Sequence, residues 1–181
     1  MRACCGLLSL ALLLGACGQP SGDFGFQIQS LEVFPGYQNI RASLKQNLTL
    51  SRDAVEAIEH GVPLTMTLDL ELRDSRDLSL LASEERHYVI QYLPLSEHYT
   101  LTRQKDGDVS NFPRLRHALA ALSRLDLVMK TGALAPGEYE IRARMRLDNQ
   151  RLPAPMRLPA LLAAGWQHRS EWSTWPFVIN A

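Results

Sequence analysis

The chain has 181 residues, 46% of them hydrophobic and 21% charged, with 19 basic side chains against 19 acidic ones. This is room for one domain of ordinary size; the apolar fraction excludes intrinsic disorder, and the balanced charge excludes a protein that holds nucleic acid by basic excess. Glycine and proline, at 11 and 10, are too few for a low-complexity or collagen-like chain.

The N-terminus is read first. Arg2 precedes an apolar run from Ala3 to Leu14 broken only by Ser9, the layout of an export signal. The run falls well short of the ~20 apolar residues that cross a bilayer. Leu14-Gly15-Ala16-Cys17 follows, and it resembles the lipobox of bacterial lipoproteins, where small residues before a cysteine admit the lipoprotein signal peptidase once the thiol carries a diacylglyceryl group. Ordinary signal peptidase needs small residues at the first and third positions before its cut, and Leu14 fills the third. The alternative is a plain signal cut near Ser21 or Gly22. The expected division is a signal peptide over 1–16, an acylated Cys17 with its polar tether over 17–23, and a single β-rich domain over 24–181. Gly18 in place of an aspartate fits export to the periplasmic side of the envelope, at the outer membrane rather than the inner. Cys4 and Cys5 leave with the signal, so the remaining domain has no disulfide and rests on its hydrophobic core.

Weak alternation over 27–33 and 40–50, separated by Pro35-Gly36, predicts a first antiparallel pair. Ser51 then opens a helix over 52–60, with Gly61 and Pro63 as stop signals. Over 63–73, Leu64, Met66, Leu68, Leu70 and Leu72 alternate with Thr65, Thr67, Asp69, Glu71 and Arg73, the period-two pattern of a strand with one solvent face. Strands over 86–93 and 99–103, and a two-residue hairpin turn at Asp106-Gly107, predict a three-stranded meander. A second helix is expected over 113–125, with Ser110 or Asn111 as cap and Pro113 in the first turn. Pro136-Gly137 launches another long strand, its inward face Tyr139, Ile141, Ala143, Met145 and Leu147. A short helix near 159–164 and a last strand in the latter half of 171–179 complete the chain. Seven or eight antiparallel strands with two main helices on connections predict a mainly β protein, an antiparallel β-sandwich; the alternative is an α+β sheet with both helices on one face. Leu68, Leu70, Ile141 and Met145 are expected in one core, with Glu71 and Arg144 exposed.

Catalytic signatures are sparse. The sequence contains no Gly-x-Ser-x-Gly elbow, His-Glu-x-x-His, phosphate loop or Cys-x-x-Cys, and His60, His87, His98, His117 and His168 lack metal-ligand spacing. No catalytic residue, cofactor or metal site is assigned. Asp69 and Glu71 against Arg142, Arg144 and Arg146 read as cross-strand pairs rather than as an acid–base pair or anion patch.

Two tryptophans cluster in Trp172-Ser173-Thr174-Trp175-Pro176-Phe177. Pro176 favours an extended Trp175, so Trp175 and Phe177 share one side that closes the core, with Trp172 at the rim; all three are candidate interaction residues. With Gly61-Val62-Pro63-Leu64 and the Pro-Gly-Glu-Tyr strand start, this ending resembles a proteobacterial family of exported proteins, the domain-of-unknown-function family numbered 4390, over about 29–177. The resemblance carries no catalytic residues. It implies a possible partner, because members are often encoded beside a membrane sensor histidine kinase. The expected function is therefore a cell-envelope lipoprotein, held to its membrane by the lipid, that binds another envelope protein and not nucleic acid. A hydrolase with dispersed carboxylates and a carrier of an apolar ligand within the sandwich are the alternatives.

Overall fold

The computed structural model describes residues 24–180, so the expected export signal, the expected acylation site Cys17 and the expected tether lie outside the described residues. Strands β1 (Gly25–Pro35) and β2 (Asn39–Thr49) pair antiparallel, and β7 (Arg124–Lys130) joins β2 to complete a three-stranded sheet. The second sheet has the order β6-β5-β4-β3-β8-β9, built from β3 (Leu64–Asp74), β4 (Leu80–Leu93), β5 (His98–Arg103), β6 (Asp108–Phe112), β8 (Gly137–Leu147) and β9 (Ser173–Ile179). All pairings within these sheets are antiparallel, and the sheets share one hydrophobic core, the expected sandwich. The connections carry α1 (Arg52–Glu59), α2 (Leu115–Leu122) and α3 (Ala154–Leu162).

Register explains the core. Met66 sits opposite Tyr88 and Leu147, and Leu70 opposite Ala143, so the even residues of β3 face inward with their neighbours; Leu68, Leu70, Ile141 and Met145 are all buried. In β1 the pairing shifts between Ile28 and Ser30. That bulge inserts Gln29, which reverses the alternation and keeps Leu31 inward after Phe26 and Ile28. Helix α1 starts at Ser51, whose hydroxyl accepts the Ala54 N–H at 3.2 Å and donates to the Gly165 carbonyl, while its own N–H donates to His168 Nε2 at 2.8 Å. One N-cap residue thus ties three chain segments at a single corner.

Several expectations are corrected. The solvent face foreseen for β3 is largely covered: Thr65, Thr67 and Asp69 are buried, and Glu71 and Arg144 are half-buried instead of exposed. A central strand is flanked on both sides, here by β4 and β8, whose long side chains close over it. The helix expected over 113–125 stops at Leu122, because Gln46 Nε2 takes the Leu122 carbonyl at 2.8 Å and the Gln46 N–H takes that of Ser123. Beyond it lies β7, a strand the helical reading obscured, with Leu125, Leu127 and Met129 inward. Ser110 and Asn111 belong to β6, and the cap position falls on Arg114 with no side-chain bond. The Asp106-Gly107 turn is a four-residue loop in which Gly107 alone has positive φ (74°) and its N–H donates to the Arg103 carbonyl at 2.9 Å. Asp106 keeps an ordinary backbone, so the two-residue turn, which needs two left-handed residues, does not form. Helix α3 begins at Ala154, five residues before its expected start, as Pro155 suits a first turn.

Candidate functional site

The outer face of the six-stranded sheet carries the densest polar constellation. Strand register sets Asp69 directly opposite Arg144 and Glu71 opposite Arg142. Asp69 Oδ2 receives Arg144 Nη2 at 2.8 Å, Arg144 Nε at 3.1 Å and Arg146 Nε at 3.2 Å, while Oδ1 is buried without a partner. Arg146 also reaches Glu85 and Asp148, at 3.7 and 3.5 Å. Burial works against the Arg146 charge, and its hydrogen bond to Asp69 together with the negative charges of Asp69, Asp148 and Glu85 more than restores it, leaving its pKa above the usual arginine value. Beside them, Arg151 Nη2 lies 3.0 Å from His87 Nε2 and Thr67 Oγ1 lies 2.9 Å from His87 Nδ1. Arginine only donates, so Nε2 accepts, Nδ1 carries the proton, and the Thr67 hydroxyl passes its own proton toward Asp148 Oδ2 at 3.4 Å. The charges here are consumed by one another.

The tail residues singled out by their rarity join this frame. The Trp172 ring lies under the guanidinium groups of Arg142 and Arg144, at 4.8 and 4.4 Å from its centroid, a pair of cation–π contacts. Trp175 and Phe177 share the inward face of β9, both half-buried against the core, and Phe177 stacks on Tyr139 at 5.8 Å. Trp172 therefore stands apart from the other two, on the polar face.

The carboxylates whose titration is displaced all move downward. The side-chain and backbone N–H groups of Arg76 pull Asp74 down to about 2. The Ser79 N–H lowers Asp77, and for Glu84 the upward push of burial is outweighed by hydrogen bonds from Lys105 and Arg86. A general acid at neutral pH needs the opposite displacement. Among the described residues no three metal-ligating side chains come together. His87 and His98 stay apart, since the β4–β5 register pairs His98 with Leu93. Met66 and Met145, which would line an apolar ligand chamber, are fully buried within the packed core.

The three-stranded sheet presents a different surface. Phe34, Arg41 and Val128 form one row across β1, β2 and β7 on its outer face. Phe34 is 50% exposed and Val128 48%. Around them runs a groove of about 400 Å³ lined by Phe34, Ala42, Leu127 and Val128, with Arg41, Ser43 and Asp126 as its polar members. Tyr37, in the adjoining β1–β2 turn, is 84% exposed. Sequence reasoning missed these residues, although a signal existed: Val128 occupies the polar phase of β7, between Asp126 and Lys130. In β1 the bulge shifts the alternation and hides that Phe34 shares the outward phase with Glu32.

A family model described as a domain of unknown function (DUF4390) matches residues 24–176. The chain belongs to this family. The match begins just before β1 and ends inside β9, so the matched region takes in both sheets and the Trp172 frame. Neither curated proteins nor solved structures yield a match.

Proposed function

We propose that this member of the family is a lipid-anchored protein of the cell envelope, on its periplasmic side, that works as a protein-interaction module through the outer groove of the three-stranded sheet. The observation that carries the reading is the Phe34–Arg41–Val128 row: two large apolar side chains stand half-exposed beside a cation, on a sheet face that no other element among the described residues covers. Exposed apolar surface rimmed by polar groups is the usual mark of an association site. A second support is contrast, because Asp69, Glu71, Arg142, Arg144 and Arg146 at the centre of the larger sheet are already paired with one another and its displaced carboxylates are held ionised. The anchor follows from the Leu14-Gly15-Ala16-Cys17 motif, and the partner favoured by the family resemblance is the extracytoplasmic part of a membrane sensor kinase.

The test uses the acylated protein captured from solubilised membranes, compared with Phe34→Asp and Val128→Asp variants, followed by direct binding to the purified extracytoplasmic segment of the captured protein. The expected result is one membrane protein retained in near-equal amount by the unaltered chain and lost from both variants, whose melting is unchanged. Equal capture by the variants, or direct binding that ignores them, overturns the groove as the site.

A further inference from the structure

Helix α3 is built the wrong way round for a helix of a soluble sandwich. Its single buried residue is Ala160. Leu158, Leu161 and Leu162, at spacings that put them on one face, are 73%, 57% and 89% exposed. The helix is nonetheless firmly placed. Gln167 Nε2 donates to the carbonyls of Ala160 and Leu161 at 3.1 and 3.2 Å, Arg157 Nε holds the Leu152 carbonyl at 2.8 Å, and buried Trp166 lies beneath the following turn. An apolar face that is held rigid and pointed outward is a surface made to be covered.

The start of the domain identifies the cover. Phe24 packs its ring on His168, 5.0 Å between centroids, next to Gln167. The first described residue thus emerges at the same corner as α3. Six residues separate Phe24 from Cys17, a tether that reaches ~20 Å when extended. A membrane that holds Cys17 must lie within that reach of α3. From Asn149 to Ser170 the chain carries Arg151, Arg157 and Arg169 and no Asp or Glu; of the acidic groups at this corner, Asp148 engages Arg151 and Asp53 of α1 lies against Gly165. Arg157, on α3 itself, is exposed next to Leu158. Leucines on one face with an arginine at the margin are the composition of a helix that lies in the interface of an anionic bilayer.

We infer that α3 is a membrane-contacting helix, seating Leu158, Leu161 and Leu162 among the acyl chains of the bilayer that carries the lipid anchor. This rests on the reading of Cys17 as acylated, and it adds an orientation. The α3 end of the sandwich faces the lipid. Strand β1 then runs about 30 Å from that end to Phe34, so the groove of the three-stranded sheet lies toward the end remote from the membrane. A single flexible tether would leave the domain free to tumble, whereas an anchored chain with a second apolar contact holds one pose.

Hydroxyl-radical footprinting of the full chain, in solution and on vesicles of phosphatidylethanolamine and phosphatidylglycerol, tests this directly. Oxidation of Leu158, Leu161 and Leu162 should fall severalfold on vesicles while that of Tyr37 and Phe34 stays constant. Leucines oxidised equally in both samples, or a chain that does not bind the vesicles, overturn the inference. So does protection already present without lipid, which would assign the face to a second copy of the chain. The same digest gives the mass of the Cys17 peptide: unmodified Cys17 with protected leucines would remove the anchor and leave α3 as a lipid-binding helix, while acylated Cys17 with unprotected leucines would keep the anchor and remove the helix contact.

Discussion

The outer faces of the two sheets solve the same problem in opposite ways. At the centre of β3 and β8 the outward positions are polar, and the register brings Asp69 against Arg144 and Glu71 against Arg142, with Asp69 taking a second arginine and Arg142 and Arg144 lying over Trp172. On β1, β2 and β7 one row sets Phe34 and Val128 either side of Arg41, and no element among the described residues meets it. The first face is closed by internal chemistry and the second is left open, which teaches that an abundance of charged side chains does not by itself mark a surface free to bind. Residues that satisfy one another have little left for a ligand.

That contrast can be broken from either side. The largest effect should come from the core beneath both faces: Leu70→Ala, at a buried position between β4 and β8, should cost about 4 kcal/mol in chemical denaturation. Next is the closed face itself. Asp69 is 7% exposed, and Asp69→Ala leaves Arg144 without its carboxylate while Arg146 keeps only the longer contacts to Glu85 and Asp148, a loss of about 3 kcal/mol. If the domain melts unchanged, the pairing is ornamental and the face is not closed.

A smaller effect concerns pH. Burial pushes the His168 pKa down, while its Nδ1 sits near the Trp166 carbonyl without hydrogen-bond geometry. Neutral His168 accepts the Ser51 N–H, and a protonated ring cannot. The unfolded chain therefore takes up the proton more readily than the folded one. Stability from this group is complete above the unfolded value of about 6.5 and is lost as pH falls through the lower folded value. Denaturation midpoints measured between pH 7.5 and 5 should decline in the unaltered chain and decline less in His168→Gln. The smallest effect on stability belongs to the open face, where Phe34→Asp should stay within about 0.5 kcal/mol and yet abolish capture of the partner.

Much of the architecture was legible because its signals are local. Alternation over 63–73 and 137–147 marks two central strands, and Ser51 with Gly61 marks both ends of α1, whose Gly61 adopts the positive φ (84°) that a helix stop requires. What escaped depends on partners distant in the chain. Helix α2 ends where Gln46, far upstream, takes the Leu122 carbonyl, and without that knowledge the leucine spacing runs on into β7. Thr67 and Asp69 look like solvent positions until Arg144, Arg146 and His87 arrive from neighbouring strands. The groove needs three strands in register, one of them shifted by a bulge. The tail was half legible: Pro176 fixed the shared side of Trp175 and Phe177, but the cations over Trp172 come from β8.

Strand β1 also has a mechanical meaning. It starts beside the corner where the tether enters and ends at Phe34, a wall of the groove. Tension between an anchored Cys17 and a partner gripping Phe34 would run down the covalent backbone of one strand and load no hydrogen-bond ladder at all. A grip on Val128 would reach β1 only through the β7–β2 and β2–β1 ladders, lengthwise, so that their bonds resist together instead of opening one by one. Either way such a pull would be carried along the strands of the smaller sheet, as in a tie.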